Sequence, residues 1–124
     1  MAMVDEYNRG WALRYIREAR VELASARNVP AMAQNLVAEA VRKALEAVYH
    51  SLGNPSYIRM IVNDFIEEDE EPKDPLLSWL VRFERTAQEV LNISDVERAM
   101  ELAEGLLHDA SEIVKIVTES EERE

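Results

Sequence analysis

Between Val4 and Arg27 the chain has no proline, and Ala12, Ile16, Ala19, Leu23 and Ala26 recur at steps of three and four. That spacing puts all five on one stripe of a helix. Asn28-Val29-Pro30 interrupts it, because proline suits the first position of a helix but cannot continue the one before. A second helix folding back to about Leu52 is predicted, with Val37, Val41, Ala44, Leu45, Val48 and Leu52 on its apolar side. Glu39, Lys43, Glu46 and His50 fall on the other side. Gly53 supplies the left-handed residue that ends such a helix, and Asn54-Pro55 the cap and first position of a third, Pro55 to Glu67. Ile58, Ile61, Val62 and Phe65 form its inward face.

The run Glu67-Glu68-Asp69-Glu70-Glu71-Pro72-Lys73-Asp74-Pro75 repels itself and contains two prolines, so an exposed, mobile linker is expected over about 67–75. Asp74 and Pro75 then open a fourth helix carrying Leu76, Leu77, Trp79, Leu80, Phe83, Ala87 and Leu91, closed by Asn92. Ser94-Asp95-Val96-Glu97 has the spacing of a capping box in which Ser94 and Glu97 satisfy each other's backbone N–H groups. The fifth helix continues through Ala99, Met100, Ala103, Leu106, Leu107, Ala110, Ile113, Val114 and Val117, and Glu119 to Glu124 form a frayed acidic tail. No repeat or strand pattern interrupts these segments. Short connections make neighbouring helices antiparallel, so the expected fold class is all-α: an up-and-down bundle of about five helices in a single domain, residues 1–124.

Composition agrees with helices: 48% of residues are apolar, with 3 glycines and 4 prolines. Cysteine is absent, which removes disulfides, thiolate nucleophiles and thiolate-held metals. The first residues carry charge from Asp5 onward and lack a long apolar stretch, so neither a signal peptide nor a membrane anchor is expected, and the cytoplasm is the expected location. A net charge of −11 repels polyanions and disfavours general nucleic-acid binding. The charge is uneven, however. Arg9, Arg14, Arg17, Arg20 and Arg27 concentrate on the first helix, while residues 62–75 and 94–124 are strongly acidic, so an anionic ligand or partner would approach the first helix.

Those five arginines are the most suggestive polar set, since guanidinium forks bind phosphate and carboxylate bidentately. Arg14 lies one helical turn from Glu18 and Arg9 three residues from Glu6, so internal ion pairing is the simpler expectation. A rival reading joins them to Arg82 and Arg85 of the fourth helix in a concave basic pocket for a nucleotide or RNA. Glu46/His50 and Glu104/His108 each place a carboxylate and an imidazole one turn apart, but opposite the apolar stripes, where solvated faces are expected rather than a metal site. With two histidines, both on polar faces, no catalytic constellation and no cofactor site is read. Trp11, Tyr15, Tyr49, Tyr57 and Trp79 are by default core residues, and Tyr49, at the fringe of its stripe, is the candidate dimer-facing aromatic.

The stretch AMAQNLVAEAVRKALEAVYHSLGNP, Ala31 to Pro55, is similar to the second helix of HEPN domains in its alanine richness and in Lys43-Ala44-Leu45 followed by Gly53. Trp11 with its helix, and the closing AMELAEGLLHDASEIVKIV, resemble the family's first and last helices. The family's ribonucleases carry an arginine followed after four to six residues by histidine, paired across a homodimer. Here seven residues separate Arg42 from His50 and nine separate Arg98 from His108. The resemblance therefore implies the fold and a homodimer or protein partner, such as a nucleotidyltransferase or a toxin–antitoxin component, without the nuclease activity.

Overall fold

The computed structural model describes residues 6–123, with side chains described to Glu119. It is all-helical among those residues: α1 (Glu6–Asn28), α2 (Ala33–Ser51), α3 (Pro55–Glu68), α4 (Pro75–Leu91) and α5 (Val96–Arg123), with a short 3-10 turn at Pro30–Met32 before α2. The expected start of the first helix at Val4 lies outside the described residues, as does Glu124. The backbone of α5 stays helical through Arg123, beyond the point where the sequence suggests fraying.

The bundle is organised around α2, which touches every other helix, whereas α1 touches neither α3 nor α4. Its residues explain this centrality. Ala33, Ala40, Ala44 and Ala47 admit close neighbours, and Val37, Val41, Leu45, Val48 and Tyr49 fill the spaces between them, so more than half of the circumference of α2 is covered while Gln34, Asn35, Glu39 and Arg42 stay exposed. Side-chain pairings fix the directions. Lys43 meets Glu18 and Glu22 while His50 meets Asn8, and Arg20 meets Ser111 while Arg27 meets Glu104. Numbers rise on one helix as they fall on the other, so α1 runs antiparallel to both α2 and α5.

The predicted stripe of α1 is buried in full: Ala12, Ile16, Ala19, Leu23 and Ala26 are at most 5% exposed. In α4 the stripe is rotated. Val81 and Val90 are buried, whereas Leu76 and Leu91, in the first and last turns, are 46% and 37% exposed. Helix boundaries follow local chemistry. Asn54 Oδ1 accepts from Tyr57 N at 3.1 Å and Asp74 Oδ1 from Leu77 N at 2.9 Å, each followed by proline at the first position. Gly53 takes φ 126°, a region that disfavours a side chain. For α5 the cap is Asp95, not Ser94: its carboxylate accepts from Glu97 N at 3.1 Å and Arg98 N at 3.4 Å, a charge-assisted arrangement stronger than a hydroxyl can offer.

The acidic connection is exposed from Glu67 to Asp74 apart from Pro72. Glu67 and Glu68 complete α3, Asp69 ends it in the left-handed conformation (φ 54°), and Pro72 is buried. Arg85 pairs with Asp69 at 3.2 Å, and Glu71 receives Ser78 at 2.7 Å and lies 3.6 Å from Arg82. Arg82 and Arg85, in the middle of α4, thus set cations against part of the acidic run.

Candidate interaction surfaces and a buried polar network

Tyr49 is 1% exposed and cannot face a partner. Its hydroxyl donates to Glu84 Oε1 at 2.7 Å, and Glu84, itself 7% exposed, is approached by Gln88 Nε2 at 3.5 Å. Arg59 lies over the Tyr49 ring, 5.0 Å from its centroid, and is ion-paired to Glu46. Burial, with the Glu84 carboxylate beside it, pushes the Tyr49 phenol above its ordinary range.

The Glu46/His50 pair is also not on a solvated face. His50 is 14% exposed, with Nδ1 at 2.9 Å from Asn8 Oδ1, Nε2 at 3.5 Å from Glu46 and its ring 5.6 Å from that of Tyr15. Asn8 and Tyr15 from α1, Glu46, Tyr49 and His50 from α2, Arg59 from α3 and Glu84 from α4 thus form one network that ties four helices together. Its groups are engaged with one another, which is what a structural network requires. Among the described residues, no three His, Asp or Glu side chains cluster so as to hold a metal ion.

The second Glu/His pair is dispersed: Glu104 pairs with Arg27, and His108 is exposed. The helix-one arginines divide. Arg14 donates to Glu18 at 2.7 Å and lies 4.9 Å from the Trp11 ring centroid, and Arg27 is held by Glu104. Arg20 donates to the Ser111 hydroxyl at 2.6 Å. Arg9, Arg17 and Arg20 line a groove of about 390 Å³ between α1 and α5, joined there by Lys115. Arg82 and Arg85 do not join them, because α1 and α4 are not in contact.

On the other flank of α5, against α4, lies a groove of about 420 Å³ lined by Trp79, Phe83, Leu102, Gly105 and Leu106. Trp79 and Phe83 stack with centroids 4.8 Å apart and planes inclined by 19°. Arg82 stands on the α4 wall, and Glu101 and Asp109 on the α5 wall. Gly105 is exposed, and a Cβ added to it would meet no heavy atom within 4 Å. No helix is long and apolar enough to cross a membrane among the described residues.

No model of a known protein family, no curated protein and no solved structure matches the chain.

Proposed function

We propose that the chain is a non-catalytic, HEPN-like association module that pairs with a second copy of itself through the α4–α5 groove. Gly105 carries this reading. A glycine inside a helix costs about 0.5–1 kcal/mol relative to alanine. Among the described residues nothing approaches it closely enough to require the missing side chain. A second copy packed over Gly105 would supply that requirement. The groove suits a copy of itself, since its walls carry opposite charge, Arg82 on one and Glu101 and Asp109 on the other, the self-complementarity an isologous contact needs. The stacked Trp79 and Phe83 supply an aromatic floor of the kind that anchors interfaces.

The similarity at residues 31–55 and the helix order support the HEPN-like assignment. They also name heterologous partners to try beside the homodimer, a nucleotidyltransferase or a toxin–antitoxin component. The test is light scattering from roughly micromolar to millimolar protein, on the wild type and on Gly105→Gln. The wild type is expected to dimerise and Gly105→Gln to remain monomeric with a higher thermal midpoint, because a glycine has left the helix and the groove has been filled. A strictly monomeric wild type, or a variant that dimerises as well as the wild type, overturns the proposal.

A further inference from the structure

A pocket of about 340 Å³ lies between α2, α3 and α4, and Glu84 of α4 lines it. Only 7% of Glu84 is exposed. A carboxylate so far withdrawn from water is ordinarily matched to a cation. This one is held by neutral groups, the Tyr49 hydroxyl at 2.7 Å and the Gln88 amide at 3.5 Å. Both donate to it, as they do to an ionised acid. The arginines of the same pocket are committed elsewhere, Arg59 to Glu46 and Arg42 to Glu39 at 3.0 Å. The hydrogen bonds of Glu84 are thus satisfied, while its charge has no counter-ion among these partners.

The charges of the pocket are also ordered by depth. The side chains of Arg42 and Arg59 are 58% and 37% exposed, so cations stand toward the mouth and the carboxylate at the inner end. Between them the lining is polar: Asn63 and Gln88 offer amides, and Leu45 alone is apolar among the described lining residues.

We infer that this pocket binds a small zwitterion with the chemistry of a free amino acid, its ammonium directed inward to Glu84 and its carboxylate outward to Arg42. Charge-assisted hydrogen bonds at both ends are the strong kind, and a guanidinium fork matches a carboxylate bidentately. Arg42 is the arginine free to turn, because an exposed pair three residues apart on one helix is worth little. Arg59 is fixed by Glu46 and by the Tyr49 ring, 5.0 Å below it. A plain cation or a diamine has to pass or face the guanidinium groups, and a plain anion meets Glu84. Only a molecule carrying both charges finds the opposite sign at each end. The volume lies at the lower end of small-molecule sites, and the polar lining favours a short body with little apolar surface.

The experiment titrates the full chain to millimolar concentration with L-serine, L-serinamide, acetate and putrescine, read by calorimetry and by backbone amide shifts. L-serine is expected to shift Leu45, Asn63 and Gln88. Serinamide, which keeps the ammonium and lacks the carboxylate, should bind the same residues at least tenfold more weakly, and acetate should leave them unmoved. Glu84→Gln keeps the shape and the hydrogen bonds while removing the charge, and should abolish L-serine binding. Circular dichroism checks that its helices remain. Arg42→Gln, at an exposed position where folding is not at stake, should weaken L-serine at least tenfold without changing serinamide. The inference is overturned if L-serine moves none of these residues, if either variant binds it unchanged, or if serinamide or putrescine binds as tightly as L-serine. Gly105→Gln lies on α5, outside this pocket, and should bind L-serine as the wild type does, so the site and the dimer stand or fall separately.

Discussion

Glu84 lies four residues after Leu80 and three before Ala87, within the apolar stripe of α4, and it is buried there with Tyr49 as its donor at 2.7 Å. An acid at that register is legible in the sequence as a conflict between pattern and polarity. Its partner is not, because Tyr49 is 35 residues away and only the packing of α4 on α2 brings the two together. The same holds for His50 and Asn8. Tyr49→Phe keeps the ring and removes the donor, leaving a buried carboxylate short of a partner, and should destabilise the fold by about 1–3 kcal/mol in urea denaturation at neutral pH. The pH dependence has a definite sign. The native phenol is held protonated by burial and by Glu84, while in the unfolded chain it ionises near pH 10. Above that pH the unfolded state binds fewer protons, so the stability from this group is full below pH 10 and falls as pH rises. The wild type should lose more stability than Tyr49→Phe between about pH 8 and pH 11, and equal losses would show that Tyr49 does not carry the effect.

Helix starts depend on which oxygen reaches the free N–H groups of the first turn. At Asn54 and Asp74 one side chain does so and proline follows, and the sequence names both caps correctly. At α5 two adjacent residues compete, and the Ser94-to-Glu97 spacing points to the wrong one, since Asp95 caps with a carboxylate. Asp95→Ala should therefore cost about 0.5–2 kcal/mol, while Ser94→Ala should stay within about 0.5 kcal/mol, as chemical denaturation of the two variants would show. Equal costs would restore the capping box. In the acidic segment, too, the partners come from outside the local sequence. Like charges along a sequence indicate repulsion only until cations from another element are set against them, and Arg82 and Arg85 reach Glu71 and Asp69 from α4. The periodic apolar positions, by contrast, are an intrahelical property, which is why the stripes of α1 and α2 could be read directly.

Across the whole molecule, α2 carries the packing and its polar residues carry the ties between helices. Lys43, 24% exposed, hydrogen-bonds Glu22 and lies 3.1 Å from Glu18, joining α2 to α1. The sequence pattern placed this tie in solvent, yet it makes stability vary with pH. The Glu22 hydrogen bond, with a smaller part from Glu18, raises the Lys43 pKa above 10.5 against the opposing effect of burial. Arg14 first, and Lys43 second, lower the Glu18 pKa below 4.5. A raised lysine contributes stability that is complete below its unfolded value and lost as pH rises through the folded one. A lowered carboxylate contributes stability that is present above its unfolded value and lost as pH falls through the folded one. The two limits enclose neutral pH, where the tie is at full strength. Lys43→Met removes the cation and leaves Glu18 and Glu22 one turn apart, with Glu22 Oε2 buried and unpartnered. Acidification relieves the self-repulsion of an 11-charge excess in both proteins alike, so the informative quantity is the difference between them rather than either curve. That difference in urea midpoint should be largest near pH 7 and should shrink toward about pH 3 as the carboxylates protonate and toward about pH 11 as the lysine loses its charge. A gap that stays constant over this range would mean that Lys43 stabilises the α1–α2 seam through its methylene chain, by packing alone.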